Sequence, residues 1–123
     1  MKTIIRNATI VNEGRRFIGS VVIEDETIQQ VLEGDDSTQI YDTEIDATGL
    51  YLFPGVIDDH VHFREPGLTH KADIASESRT AAAGGVTSFM DMPNTNPPTT
   101  TIELLEEKFR IAEKNSRINY SFF

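Results

Sequence analysis

The chain has 123 residues, no cysteine, 38% apolar residues and a formal net charge of −9. Its length gives about one small domain's worth of core. The lack of cysteine excludes a disulfide framework and any thiolate metal site, so a metal here must be held by imidazole and carboxylate, and the acidic balance argues against nucleic acid, whose phosphates call for clustered Lys and Arg.

The first third reads as short β-strands. β-branched clusters fall at residues 3–5, 9–11, 17–23 and 27–32, with turn chemistry at 12–14 and 33–37. These predict a small antiparallel sheet, a β-subdomain over residues 1–52. No apolar run approaches the length of a bilayer span, and residues 1–7 lack the basic-then-apolar layout of a secretory signal. The expectation is a cytoplasmic protein with no membrane partner.

From Leu50 the pattern changes. Residues 56–63 alternate as a strand, and 71–83 are helix-like, with Ile74, Ala75, Ala81 and Ala82 for a buried face and Gly84-Gly85 as a stop. Residues 86–92 form a near-continuous apolar strand of the kind buried on both faces of a parallel sheet, and "MPNTNPPTTT" is a loop. Thr100 and Glu103 have capping-box spacing, while Ile102, Leu105, Phe109 and Ala112 recur on one face, predicting a helix over 101–114. Residues 118–123 begin another strand.

Strand, helix, strand, helix, strand is an α/β order of parallel βαβ units, with functional residues expected at the C-terminal strand ends. Residues 53–123 therefore read as the first β/α units of a (β/α)8 TIM-type barrel. Because a closed barrel takes roughly 250 residues, the barrel is incomplete in this chain. A fragment, an incomplete stretch of a longer chain, or one piece of an assembly is expected.

The stretch "DDHVHFREPG" (58–67) ends the first of these strands. Strand alternation puts Asp58, His60 and His62 on one face. Two imidazoles at a strand end can reach one ion, and zinc bound this way leaves positions for carboxylate, further histidine and water. Asp58 could orient the site from behind the ligands. A bare HxH in an arbitrary protein is more often chance, so the surroundings have to decide.

Those surroundings, "DATGLYLFPGVIDDHVHFREPG" (46–67), resemble the amidohydrolase superfamily, in which a DAxG...PGxxDxHxH passage leaves a small β-sandwich and enters the first barrel strand. Asp46, Ala47, Gly49, Pro54, Gly55, Asp58, His60 and His62 match. Within it, "HVHFREPG" followed by "AAAGGVTSFMDMPNTNPPTT" is similar to dihydroorotase, which reversibly cyclises N-carbamoyl-L-aspartate to L-dihydroorotate in pyrimidine synthesis.

The resemblance implies that His60 and His62 bind metal and that Arg64 and Asn94 bind the substrate carboxylate. A guanidinium fork and an amide N–H suit that group. Taken singly, Arg64 reads as a surface arginine at a strand exit and Asn94 as turn material beside proline; their pairing carries the assignment. Allantoinases share "AAAGGVT" but tend to show NEPG where this chain has Arg64-Glu65-Pro66-Gly67. Hydantoinases keep HxH but generally lack the Arg and MPNT pair.

The resemblance further implies one or two zinc ions, a small-molecule substrate, a bridging carboxylate or carboxylated lysine, two more histidines and a late aspartate. None of these later residues can be placed before Phe123, so the isolated chain is expected to be inactive. Lys71 opens a helix and is no bridging ligand, His70 suits a capping or solvent role, and Asp91 reads as structural, bonding to backbone. An inactive dihydroorotase-like scaffold for a partner enzyme is the competing expectation, and self-association is left open.

Overall fold

The computed structural model describes residues 1–34 and 39–123. It divides into two compact units, Met1–Pro54 and Gly55–Phe123. The predicted turn at 33–37 falls largely outside the described residues.

In the first unit, β1 (Lys2–Asn12), β2 (Arg15–Glu24) and β3 (Thr27–Glu33) form the antiparallel meander expected of their β-branched runs. The two predicted segments at 3–5 and 9–11 are one strand. A bulge lies between Ile5 and Ala8, where Asn7 takes a left-handed φ of 59°, and it reverses the alternation. Ile5, Ala8 and Ile10 consequently pack on one side of the sheet, whereas Ile4 packs with Val22 and Tyr41 in a separate cluster. Glu13 and Gly14, both at positive φ, close the β1–β2 hairpin.

The sheet is not purely antiparallel. β4 (Thr43–Asp46) and β5 (Tyr51–Leu52) both run parallel to β1, giving one five-stranded sheet of order β3-β2-β1-β4 with β5 also on β1. A four-residue exposed strand such as β4 carries little periodicity of its own, and pairing with β1 supplies what its sequence lacks.

The second unit follows the predicted order: β6 (Val56–Val61), α1 (Ile74–Ala83), β7 (Val86–Asp91), α2 (Ile102–Asn115) and β8 (Asn119–Phe122). The three strands are parallel and adjacent in chain order. Ile74 of α1 and Ala112 of α2 join Phe63, Phe89 and Phe122 in a single core, so both helices lie over the same face. Strands added sequentially, with their helices on one side, wind in the manner of a barrel rather than of a doubly wound sheet.

Both helices begin later than expected. Asp73, extended at φ −135°, accepts the Ser76 N–H at 2.7 Å and caps α1, while residues 68–71 form a separate turn closed by Lys71 N–H on the Leu68 carbonyl. The α2 cap is Thr101, whose Oγ1 accepts from Leu104 N–H at 3.4 Å; Thr100 instead donates to the Pro98 carbonyl. On α2 the buried positions are Lys108 and Ala112, and Ile102 and Phe109 of the predicted apolar stripe stay exposed. On α1, Ile74 and Ser78 are buried, Ala75 and Ala81 half-buried and Ala82 exposed.

Candidate active site at the ends of the first two parallel strands

β6 delivers the histidines. Its pairing with β7 matches Asp58 to Phe89 but Val61 to Asp91, an extra residue on β6 that breaks the alternation. Asp58 is thereby in phase with Val61. It lines a shallow cleft with Val61, Phe63, Glu77 and Phe89 on the helix side, and its Oδ1 accepts the His60 backbone N–H at 3.2 Å. Its link to the histidines thus runs through the backbone of the bulge, not through an imidazole on a shared face.

His60 and His62 do come together. Their rings lie 5.2 Å apart between centroids, inclined at 66°, and both side chains are exposed. His62 Nδ1 is 2.9 Å from Asn94 Oδ1. A carbonyl oxygen only accepts, so Nδ1 carries the proton and the Nε2 lone pair is left for a metal. Among the described residues the two N–H donors of the Asn94 amide have no partner and are left for another one.

Several contacts bring the Asn94 loop to the histidine strand. Met92 N–H donates to the Val61 carbonyl at 3.0 Å and Asn96 N–H to the Pro66 carbonyl at 3.1 Å. At Gly67, with φ 81°, a Cβ would sit 1.8 Å from the Asn96 carbonyl oxygen, so the loops approach there as only glycine allows. The Asn94 loop is braced internally by buried Thr95 and Thr99: Thr95 Oγ1 donates to the Pro97 carbonyl at 2.8 Å and lies 3.1 Å from Thr99 Oγ1.

Arg64 lies past the end of β6 at a left-handed φ of 68°, so this backbone turn, rather than strand alternation, sets its direction. It is half-buried, and among the described residues its guanidinium has neither an ion-pair nor a hydrogen-bond partner. Glu65 beside it accepts the Ile74 N–H at 2.9 Å, tying the turn to the start of α1. Asp73 at that same helix start is held below the usual aspartate range, first by the Ser76 backbone N–H and then by the Ser76 hydroxyl. His70 and Lys71 are exposed in the following turn.

Asp91 is structural and bonds to backbone, as expected. Fully buried, it accepts Phe63 N–H at 2.8 Å through Oδ1 and faces the Lys108 ammonium at 2.6 Å through Oδ2. Lys108 was not singled out from the sequence. A lysine on a helix is ordinarily solvent-facing, and its only signal was a place in line with Leu105 and Ala112. Among the described residues no group of three or more His, Asp or Glu side chains converges as a metal cage.

The dihydro-orotase-like family model matches residues 49–122. The chain belongs to the dihydro-orotase-like family. His60, His62, the Arg64 turn and the Asn94 loop all lie inside the matched segment. Dihydroorotase from Lactobacillus acidophilus is 46% identical over 107 residues, covering 87% of this chain and 24% of the relative. An allantoinase from Deinococcus radiodurans is 48% identical over 80 residues, 64% of this chain and 18% of the relative. Among solved structures, L-hydantoinase from Arthrobacter aurescens matches 98% of this chain and 27% of its own, with TM-score 0.91 and 29% identity. The dihydro-orotase-like chain thus spans about a quarter of the length of these proteins.

Proposed function

We propose that this chain is the N-terminal part of a dihydroorotase, which in its complete form opens and closes the cyclic amide of L-dihydroorotate for pyrimidine synthesis. The observation that carries the reading is the conjunction at the strand ends: two neighbouring imidazoles, an Asn94 amide on the second of them, and, two residues beyond, Arg64, whose guanidinium has no partner among the described residues. The neighbouring allantoinase and hydantoinase names describe the same broad chemistry; Arg64 with Asn94 favours a substrate bearing a carboxylate.

The donor set suits zinc. Imidazole nitrogen is a usual ligand, and a ligating histidine commonly donates its other N–H to a carbonyl or carboxylate, which His62 does toward Asn94. His60 and His62 would hold one side of the ion, with the remaining ligands from later strands of the complete protein. The bound ion supplies Lewis acidity toward the amide carbonyl.

This chain's residues then do the positioning. Arg64 takes the substrate carboxylate as a bidentate partner, an Asn94 N–H adds a neutral donor, and together they fix the ring so that the reacting carbonyl faces the histidines. Asp58 holds the bulge that presents His60. We assign residues 1–52 to a β-subdomain and 53–123 to the opening of a barrel that the rest of the protein closes.

The test compares zinc-loaded complete protein with the 123-residue chain, following loss of dihydroorotate. Turnover by the complete protein alone is expected; turnover by the isolated chain would refute the assignment of the missing ligands. In the complete protein, Arg64→Ala should depress kcat/KM about 100-fold or more, as loss of a positioning contact does, with zinc content unchanged. Equal loss of zinc would make Arg64 structural.

A further inference from the structure

The buried Asp91–Lys108 pair is more elaborate than stability requires. Both side chains have no solvent exposure, and the ammonium is 2.6 Å from Asp91 Oδ2, 2.9 Å from the Met92 carbonyl and 4.8 Å from the Phe122 ring centroid. Replacing such a pair by apolar residues of similar volume is often neutral or stabilising, so fold stability alone is a weak reason for it. What distinguishes it is where its hydrogen bonds end. Asp91 Oδ1 takes the N–H of Phe63, the residue between His62 and Arg64. Lys108 Nζ donates to the carbonyl of Met92, two residues before Asn94.

We propose that Asp91 and Lys108 are positioning residues that register the two halves of the site, Asp91 fixing the histidine strand through Phe63 and Lys108 fixing the asparagine loop through Met92. The proposal rests on the roles given above to His60, His62 and Asn94. β6 ends at Val61, and the ladder has already slipped at the bulge. Phe63 therefore lies beyond the regular strand, with its N–H directed to the Asp91 side chain at the end of β7 and not to that strand's backbone. Without that acceptor, the His62–Arg64 segment is held less tightly just where its geometry matters. The Asn94 loop likewise leaves β7 at Asp91, and the only α2 atom gripping its first carbonyl among the described residues is Lys108 Nζ.

Each residue thus has its own readout. Asp91 acts on the imidazoles and so on metal affinity. Lys108 acts on the Asn94 loop and so on substrate KM.

Two double variants of the complete protein separate these roles from stability. Asp91→Leu/Lys108→Met removes both charges and both backbone contacts together. Asp91→Asn/Lys108→Met also removes both charges but keeps a carbonyl oxygen for Phe63 N–H. Urea unfolding reports the fold, cobalt(II) titration followed by visible absorption reports the histidine pair, and kcat and KM with L-dihydroorotate report the substrate side.

The leucine/methionine variant should fold and bind cobalt about 10- to 100-fold more weakly, whereas the asparagine/methionine variant should bind within about threefold of the unaltered protein, the range outer contacts to ligands command. KM should be raised in both. Unchanged cobalt affinity and KM in both variants would overturn the proposal, as would equal cobalt loss in both or failure of both to fold. Should the leucine/methionine variant alone fail to fold, the other decides: raised KM with cobalt affinity kept supports the proposal, and no change refutes it. If the unaltered protein binds cobalt but leaves dihydroorotate intact, the functional reading fails while the cobalt comparison still decides the role of Asp91.

Discussion

Removing the Lys108 ammonium alone should be among the most damaging single changes in the second unit. In Lys108→Met the volume is nearly conserved, so packing against the Phe122 ring changes little. The charge balance changes completely: Asp91, with no solvent exposure, keeps Phe63 N–H on Oδ1 but has nothing on Oδ2. Stranding one member of a buried ion pair costs about 3–5 kcal/mol. With a urea dependence of about 2 kcal/mol per molar, the unfolding midpoint should fall by about 1.5–2.5 M. The Asp91→Leu/Lys108→Met protein should recover most of that loss, since no charge is left buried. Urea unfolding of the three proteins, monitored by circular dichroism, makes the comparison. A Lys108→Met midpoint within about 0.3 M of the unaltered protein, about a fifth of the smallest shift expected from a stranded charge, would refute the reasoning.

Other outcomes follow from single contacts. Gly67→Ala places a Cβ 1.8 Å from the Asn96 carbonyl oxygen at a φ of 81°; the loops must part, and both the unfolding midpoint and dihydroorotate turnover should drop, with normal turnover contradicting the close approach. Thr101→Ala removes the α2 cap and should cost about 1 kcal/mol by urea unfolding, with Thr100→Ala nearly silent. Asp73 has a folded-state pKa below its ordinary 3.8, so its capping contribution is fully present above that value and is lost as pH falls through the lower folded-state value. The melting-temperature difference between the unaltered protein and Asp73→Ala should therefore be constant near neutrality and shrink below pH 4; a difference that grew on acidification would contradict the capping role.

The second unit was largely legible because its signals are local and redundant. Gly84-Gly85 stops α1, the near-continuous apolar stretch at 86–92 reads as an interior strand, and "HVH" with "REPG" and "MPN" carries the site. What escaped depends on contacts distant in sequence. The β6 bulge follows from pairing with β7, and it moves Asp58 out of phase with His60; a period-2 count cannot register an inserted residue. Lys108 is buried because Asp91, 17 positions earlier, waits for it, and hydrophobic periodicity treats any lysine as outward-facing. Thr100 and Thr101 are chemically equal as caps, and the choice between them is made where the loop's bonds to Pro93 and Pro98 end. β4 and β5 exist because β1 offers an edge, not because their own residues insist on a strand.

The measurement that bears most directly on the whole account sets the zinc-loaded complete protein against L-dihydroorotate, allantoin and hydantoin in parallel, each with and without Arg64→Ala. The account predicts preferential turnover of dihydroorotate and a selective loss of that activity when the guanidinium is removed. Preference for allantoin or hydantoin, or indifference of dihydroorotate turnover to Arg64, would contradict it.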